Sequence, residues 1–182
     1  MKRIALFAMG SAWLAWVSGG SLRRPGGHGF WRFWAWESIL GLVLRQAPRW
    51  FQRPCSPHQL ISWLLLLISP APLILGIRSL QAAGRAPEQR QDAALLGFER
   101  TADLVTTDIY RYIRHPMYSS LLFLTWGAFW KRPGGDAAAL AASATACLLA
   151  TARVEEKENA AFFGDTYRAY EAHTKRFVPF LF

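Results

Sequence analysis

Residues 110–118 read Tyr-Arg-Tyr-Ile-Arg-His-Pro-Met-Tyr and stand just before the apolar run Leu-Leu-Phe-Leu at positions 121–124. Ionisable side chains are costly at the edge of a bilayer, so a cluster of them there indicates a functional site. Pro116 cannot donate a hydrogen bond to the carbonyl of Tyr112, and it disfavours the α conformation at His115. Because irregular backbone at membrane depth is tolerated mainly where it lines a cavity, the stretch predicts a polar notch at the mouth of a transmembrane helix.

The composition is typical of a small membrane protein. Of the 182 residues, 52% are hydrophobic and 18% are charged, which is apolar for a soluble domain. The net charge of +9 suits either nucleic acid or an anionic membrane surface. The basic residues lie between the apolar blocks and form no continuous basic face, so a membrane partner is predicted and no nucleic acid. Cys55 and Cys147 lack the spacing of a metal or redox motif, and no metal site or disulfide framework is expected.

Five apolar segments predict an all-α, polytopic integral membrane protein with about five transmembrane helices. They cover residues 4–17, 30–44, 60–77, 118–130 and 137–152. The third is the clearest span, with a kink expected at Pro70 and Pro72. The second carries Arg32 and Glu37, so it either spans the membrane or lies in its interface. The last two are joined by a Pro-Gly-Gly turn and should form an antiparallel helical hairpin, in which the small residues at 141–146 let another helix approach closely.

The distribution of lysine and arginine predicts the orientation. With five spans, the positive-inside rule places the loop over residues 78–114 and the carboxyl-terminal segment in the cytoplasm. The prediction is a multi-pass protein of the cytoplasmic (inner) membrane, with its active site facing the cytoplasm. A second interpretation rests on Met1-Lys2-Arg3, which precede an apolar run as in a signal peptide. Removal of that segment would leave four spans in the opposite orientation.

Two polar regions complete the chain. Residues 79–100 form a hydrophilic connector rich in arginine and glutamine. After the last span, the helix is expected to break at Gly164, where Asp165 caps a second short helix that runs through Ala172. Residues 176–182 are too apolar for a free tail and are predicted to fold back on the protein or on the bilayer interface.

Three polar elements are predicted to meet at one membrane face. They are residues 104–110, 114–118 and 153–158. The second element opens the fourth helix and the third closes the fifth. Since the two helices are antiparallel, the notch and the acidic cluster come together, and they predict an aromatic, cationic and anionic pocket.

The same residues carry a family resemblance. The pattern consists of Leu-Val-Thr at 104–106, Tyr110, Arg-His-Pro-x-Tyr at 114–118, an apolar hairpin, Glu-Glu at 155–156 and Phe-Gly-x-x-Tyr-x-x-Tyr at 163–170. In combination it resembles the isoprenylcysteine carboxyl methyltransferase family, in its bacterial form, to which the phospholipid N-methyltransferases are related. The match covers residues 102–179. It implies an integral membrane enzyme that binds S-adenosylmethionine in a pocket made by the last two spans and the carboxyl-terminal segment, and that takes a lipophilic acceptor from the bilayer.

The resemblance also implies the architecture and the site residues. Residues 1–80 would form amino-terminal membrane helices, and residues 81–182 a methyltransferase-like catalytic region within one membrane-embedded unit. The residues expected to bind the cofactor are Leu104, Val105, Tyr110, His115, Pro116, Met117, Tyr118, Glu155 and Glu156. The candidate catalytic residues are Arg114, His115 and Arg153, the last being nearest to the position of an acceptor-binding arginine in the eukaryotic enzymes. The chain departs from the family at Asp108 and Ser120, where the family has glycine; Asp108 is expected to cap a helix that begins at Ile109.

The residue types suit this chemistry. A carboxylate such as Glu155 can hold the ammonium of S-adenosylmethionine, and tyrosine faces attract its sulfonium. An arginine suits the cofactor carboxylate. An acceptor carboxylate or thiolate needs no strong base, whereas an amine must lose a proton, for which His115 is a candidate.

Three alternatives stay open at this point. The protein is a phospholipid or other amine N-methyltransferase, a relative of the membrane sterol reductases that uses NADPH, or a non-catalytic membrane module that keeps the cofactor pocket. Glu155 and Glu156 after a short hairpin favour methyl transfer over reduction. Asp108 and the missing acceptor arginine favour the non-catalytic module.

Overall fold

The computed structural model describes residues 2–83 and 104–180, and the regular elements in these ranges are helical. The prediction of an all-α chain is therefore confirmed for the described residues. The α-helices are α1 (Lys2–Val17), α2 (Gly19–Leu22), α3 (His28–Gln46), α4 (Pro57–Ile68), α5 (Pro70–Ala82), α6 (Pro116–Phe129), α7 (Gly135–Phe163) and α8 (Asp165–His173). Short 3₁₀ turns cover Ala47–Arg49 and Asp108–Arg111. The connector predicted over residues 79–100 lies outside the described residues from position 84 onward.

Each of the five predicted apolar segments falls on helices. The third is divided into α4 and α5 at Ser69, directly before Pro70. Proline at this position removes a backbone donor, so the helix is interrupted directly before Pro70, where the sequence predicts a kink. The Ser69 hydroxyl donates to the carbonyl of Ser120 in α6 at 2.9 Å, which fixes the break against the neighbouring helix.

Two of these helical stretches are long and apolar enough to cross a membrane: Pro57–Ala82, which joins α4 and α5, and Gly135–Phe163, which is α7. A core helix of a soluble protein also satisfies this test, but it is mostly buried, whereas these two are 22% and 33% buried. With 16 and 14 residues, α1 and α6 are shorter than a perpendicular span, and α3 carries charged side chains. Of the five predicted spans, two therefore have the length, the hydropathy and the exposure that a membrane span requires.

The centre of the fold is the contact between α3 and α7, the most extensive helix–helix contact among the described residues. The alanines that α7 presents, Ala137, Ala141, Ala144 and Ala152, have no exposed surface. Ala35 and Leu42 of α3 are equally buried. Small side chains let two helices approach closely, so the predicted approach of another helix to the fifth segment is confirmed, and α3 is that helix.

A buried lysine fastens the turn between α6 and α7. Lys131 is 1% exposed; its ammonium donates to Oε1 of Gln59 at 3.1 Å and lies 3.0 Å from the centre of the Trp63 ring. In return, Nε2 of Gln59 donates to the carbonyl of Lys131 at 3.0 Å. Burial lowers the pKa of Lys131 to about 8, because the ammonium has lost water. The hairpin is thus held to α4 by one cation, one amide and one aromatic face.

The buried lysine predicts how stability changes with pH. The unfolded chain holds the Lys131 proton up to its ordinary pKa of 10.5, whereas the folded protein releases it near pH 8. Between these values the unfolded state binds more protons, so the free energy of unfolding rises with pH. We expect this rise in detergent-solubilised protein, followed by tryptophan fluorescence during chemical denaturation. It should be absent in Lys131→Met and unchanged in Lys157→Met, which removes an exposed lysine; an equal rise in Lys131→Met contradicts this account.

Candidate functional site

The notch before α6 has the backbone that the sequence predicts. Pro116 is the first residue of α6, and His115 before it has φ −125° and ψ 62°, outside the helical region. Proline is favoured at this position because its fixed φ suits the first turn and its missing N–H is not needed there. The backbone N–H groups of Arg114 and His115 donate to the carbonyls of Lys175 and Arg176 at 2.8 and 3.0 Å. The carboxyl-terminal segment therefore closes against the start of α6.

The carboxylate of Glu156 binds two arginines at this junction and lies beside a histidine. Glu156 of α7 is 5% exposed. Its Oε1 accepts a hydrogen bond from Nε of Arg114 at 3.0 Å and lies 3.3 Å from Nε2 of His115. Its Oε2 accepts from Nη2 of Arg176 at 2.7 Å, and this hydrogen bond raises the pKa of Arg176. Glu156, which the sequence suggested for the cofactor, is thus bound to protein cations and is not part of the cavity lining described below.

The guanidinium of Arg114 is also engaged by the protein. Besides Glu156, its Nη1 donates to the carbonyls of Glu171 and Thr174 at 3.1 and 2.6 Å. Its side chain is 7% exposed. With each nitrogen bound to protein atoms, Arg114 holds α8 and the following segment against α7, although one of its faces lines the cavity.

A cavity opens beside this network and contains about 650 Å³ of empty space, including its open side. It is lined by all the predicted cofactor-binding residues except Glu156, namely Leu104, Val105, Tyr110, His115, Pro116, Met117, Tyr118 and Glu155. The antiparallel arrangement of α6 and α7 has therefore brought the notch and the acidic cluster together as predicted. Arg153, a predicted catalytic residue, is exposed on α7 and is not among the lining residues.

Five further lining residues were missed as individual predictions: Leu80, Asn159, Phe163, Tyr167 and Tyr170. Asn159 and Phe163 follow Glu155 at intervals of four, so the helical period places them on the same face of α7 and would have identified them. Tyr167 and Tyr170 are the two tyrosines of the motif at 163–170. Leu80 had no sequence signal, because the connector separates α5 from the notch.

Glu155 is the carboxylate of the cavity lining. Its Oε2 accepts a hydrogen bond from the Tyr118 hydroxyl at 2.6 Å and lies 3.9 Å from Nδ1 of His115. The His115 ring stacks on the Tyr118 ring, with 5.4 Å between centroids and 15° between planes. Glu155 keeps 22% of its side chain exposed, so it remains accessible to a cation in the cavity.

The tyrosines of α8 complete the wall opposite α7. The Tyr170 hydroxyl donates to the carbonyl of Tyr110 at 2.7 Å, which ties α8 to the 3₁₀ turn before the notch. Burial raises the pKa of Tyr167 and of Tyr170, and the nearby charges of Glu156 and Glu155 raise that of Tyr167 further. Both phenols therefore stay protonated at neutral pH.

Asp108 does not have its predicted role. The residue that precedes the 3₁₀ turn is Thr107, and Asp108 is the first residue within that turn, with φ +52°. Its carboxylate accepts a hydrogen bond from the Ser79 hydroxyl of α5 at 3.2 Å, so the predicted N-cap is wrong. A positive φ favours glycine, and aspartate is among the few other residues that adopt it readily. The backbone at Asp108 thus has a conformation that suits the glycine of the resembling family.

The helix after Gly164 and the apolar tail also differ in part from expectation. Gly164 has φ +61° and ends α7 before α8 as predicted, but it occupies the capping position that was predicted for Asp165.

The apolar tail returns to the protein at Phe177. Phe177 is buried against Tyr118 and Ala152, and its carbonyl accepts a hydrogen bond from the Ser119 hydroxyl at 2.7 Å. The predicted return of the tail is therefore confirmed at Phe177, whereas Phe180 is 82% exposed.

Comparison with known proteins finds no match for this chain among protein-family models, curated proteins or solved structures. The family named above therefore remains a resemblance of motifs.

Substitutions of the two adjacent glutamates are expected to change the stability of the fold by different amounts. Glu156→Gln leaves Arg114 and Arg176 close together without their shared carboxylate, and we expect it to lower the free energy of unfolding by about 3–5 kcal/mol. Glu155→Gln removes a partly exposed charge and should leave the unfolding midpoint within a degree or two of wild type. Thermal unfolding of both variants in the same detergent measures this difference; equal destabilisation would show that Glu156 does not hold the fold together.

Proposed function

We propose that the protein transfers a methyl group from S-adenosylmethionine to a lipophilic or small amphipathic acceptor at the cytoplasmic face of a membrane. The observation that carries this proposal is the cavity in which Glu155, held by Tyr118, lies among aromatic rings. A carboxylate with aromatic neighbours suits a ligand that carries an ammonium and a second, softer cation. The pattern of residues 104–170 that resembles the isoprenylcysteine carboxyl methyltransferases supports the same function.

The residues present fit the cationic parts of this cofactor. Glu155 would hold its ammonium by a charge-assisted hydrogen bond. The rings of Tyr110, Tyr118 and Tyr170 offer faces to a sulfonium or to adenine. The expected arginine for the cofactor carboxylate is not available in Arg114, because protein groups already occupy its nitrogens.

When bound, S-adenosylmethionine supplies a methyl carbon whose bond to a positively charged sulfur breaks, with the electron pair leaving on the sulfur. The contribution of the chain is to position both reactants and to exclude water. His115 has a defined part in this: it is stacked on Tyr118, and its two ring nitrogens face Glu156 and Glu155. It therefore orients the carboxylate that would hold the ammonium.

The surface of the helices supports a membrane location. Large apolar side chains are exposed along α1, α4 and α5, among them Ile4, Met9, Trp13, Trp16, Leu64, Leu67, Ile74 and Leu75. Apolar surface on this scale marks contact with a lipid or a partner. We propose that α1, α3 and α6 cross the bilayer beside the two candidate spans, which gives the multi-pass arrangement. Leu80 belongs to the candidate span Pro57–Ala82 and lines the cavity, so a lipophilic acceptor has a short route from the bilayer.

The alternatives are supported less well by the same cavity. A reductase using NADPH needs cations for its phosphates. Among the residues that line the cavity, Arg114 alone is a lysine or an arginine, and its nitrogens are already hydrogen-bonded to protein groups. A non-catalytic module is favoured by the exposed position of Arg153, outside the lining. An amine N-methyltransferase is the second candidate, because the partly exposed carboxylate of Glu155 suits an ammonium on an acceptor as well as the ammonium of the cofactor.

Binding of S-adenosylmethionine tests the proposal. Titration calorimetry on detergent-purified protein should show saturable binding. We expect His115→Ala and Glu155→Ala to weaken it at least tenfold, which is about 1.4 kcal/mol or more, because they remove the carboxylate or the ring that orients it. The matched control is His173→Ala, which changes an exposed histidine on α8 and should bind as wild type does. The absence of binding by folded wild-type protein rejects the methyltransferase proposal.

Cysteine labelling tests the orientation. Cys55 is exposed in the loop before α4, which the positive-inside rule places outside. In a Cys147→Ser background, a membrane-impermeant maleimide should label Cys55 in intact cells. With Cys55→Ser and Asp165→Cys added to that background, labelling should require permeabilised cells. The reverse pattern would support the signal-peptide interpretation, and labelling of both positions in intact cells would contradict a cytoplasmic site.

A further inference from the structure

An exposed patch of aromatic and basic side chains lies beside the notch. Its members are Arg111 and Tyr112, which precede the notch, and Lys175 and Phe180 of the carboxyl-terminal segment. The rings of Tyr112 and Phe180 meet edge to face, with 6.2 Å between centroids and 62° between planes. Tyr112 is 48% exposed and Phe180 is 82% exposed, so this ring contact buries little of either side chain. We call these four residues the interface patch.

The backbone joins the two halves of the interface patch. The N–H of Lys175 donates to the carbonyl of Tyr112 at 3.0 Å, and the N–H of Arg114 donates to the carbonyl of Lys175 at 2.8 Å. These hydrogen bonds form a single parallel bridge between Ile113 and Lys175, outside any strand. Ile113 is 2% exposed, so the bridge is anchored in the protein while the patch remains at the surface. A bridge with so few hydrogen bonds gains stability from any ligand that contacts both segments.

The interface patch lies at the level where the candidate span Pro57–Ala82 ends. The 3₁₀ turn Asp108–Arg111 packs on α5, and the carboxylate of its first residue accepts a hydrogen bond from the hydroxyl of Ser79, in the last turn of the span. A methyl group added at Gly76, one turn earlier, would lie 3.0 Å from Cγ of Pro116, so α6 starts at nearly the same depth. The end of a span is where hydrocarbon gives way to lipid headgroups, and the patch is therefore at headgroup level.

The cations of the interface patch are available to an external anion. The acidic groups nearby are already paired: Glu156 binds Arg114 and Arg176, and Glu171 lies 3.7 Å from Arg114. These ion pairs include neither cation of the patch, and both of those side chains are exposed. The patch thus presents positive charge together with two aromatic rings.

This combination matches the surface of an anionic bilayer. Tyrosine and other aromatic rings are enriched at the headgroup level of membranes, and lysine or arginine close to the surface is attracted to anionic lipids. A soluble acidic peptide or a free phosphate would match the cations as well. Neither of these gives a reason for a phenylalanine that is 82% exposed at the end of a membrane span. The rings therefore favour a lipid, which offers an anionic headgroup and acyl chains at once.

We propose that the interface patch binds anionic phospholipids of the surrounding bilayer. Arg111 and Lys175 contact the charged headgroups, and the two rings lie among the first carbons of the acyl chains. Because the bound lipids touch both bridged segments, they hold the carboxyl-terminal segment against the notch. His115, whose N–H donates to that segment at 3.0 Å, lines the cavity, so the lipids also stabilise the closed form of the cavity. The inference rests on the proposed membrane location and does not depend on methyl transfer.

Hydrogen exchange of the bridge tests this inference without any cofactor or acceptor. The full chain is placed in nanodiscs of phosphatidylcholine, or of phosphatidylcholine with about one third phosphatidylglycerol, which supplies the anionic charge. Mass spectrometry follows the backbone amides of Arg114, His115 and Lys175, which exchange only when the bridge opens. We expect their exchange to be at least threefold slower in the anionic nanodiscs, and this difference to shrink at high salt because salt screens exposed charges. Amides of α3, away from the patch, serve as the internal reference.

Two pairs of substitutions identify the residues responsible. Arg111→Gln with Lys175→Gln should remove the lipid difference, whereas Arg111→Lys with Lys175→Arg keeps both charges and should preserve it. The matched control is Lys157→Gln with Arg168→Gln, which removes the same charge from exposed positions on α7 and α8 and should respond as wild type does.

The inference is overturned if wild-type exchange is the same in both lipids, or if the glutamine pair keeps the full lipid difference. Loss of the difference in the charge-preserving pair contradicts it too, which keeps the test decisive if the glutamine pair fails to fold. Polyglutamate and inorganic phosphate, added to phosphatidylcholine nanodiscs, should leave the exchange unchanged. An equal slowing by polyglutamate would assign the patch to an acidic polypeptide, and an equal slowing by phosphate to a free anion. Binding of S-adenosylmethionine is measured separately, so failure of this inference is distinguishable from failure of the proposed function.

Discussion

The buried charge of Glu156 is the constraint on which the rest of the site depends. A carboxylate removed from water in this way must be matched by cations, and the chain supplies Arg114 and Arg176, with the ring of His115 as a third neighbour. Arg114 stands just before α6 and Arg176 follows α8, so pairing both with Glu156 of α7 brings three separate parts of the chain together. The return of the carboxyl-terminal segment places Tyr167 and Tyr170 opposite α7. The cavity is the space left between these elements.

Two consecutive glutamates therefore have different tasks. Successive residues on a helix point about 100° apart, so Glu156 faces the arginines while Glu155 faces the cavity. Glu156 is satisfied by protein cations, and Glu155 has a tyrosine hydroxyl and a partly exposed carboxylate oxygen. This division leaves one negative charge available in an aromatic cavity. It is the physical basis for proposing a cationic cofactor there.

Local chemistry made part of this architecture predictable. Pro116 fixed the start of α6, the Pro-Gly-Gly turn fixed the hairpin, and together they implied that the notch meets the acidic cluster. What failed depends on contacts between distant residues. Arg32 and Glu37 left open whether the segment at 30–44 spans the membrane or lies in its interface, and they did not indicate that α3 packs along the alanines of α7. The side chains of His28 on α3 and Glu158 on α7 are hydrogen-bonded, but no local pattern in the sequence connects them. Nothing in the sequence distinguishes Glu156 as the residue that binds the arginines.

The most direct test of the central claim is an experimental structure of the protein with S-adenosylhomocysteine bound. The account predicts that the ligand lies in the cavity between α6, α7 and α8, with its ammonium at the carboxylate of Glu155 and with Glu156 still bound to Arg114 and Arg176. A ligand that lies elsewhere, or one whose ammonium is held by Glu156 after the arginines have moved away, would contradict it.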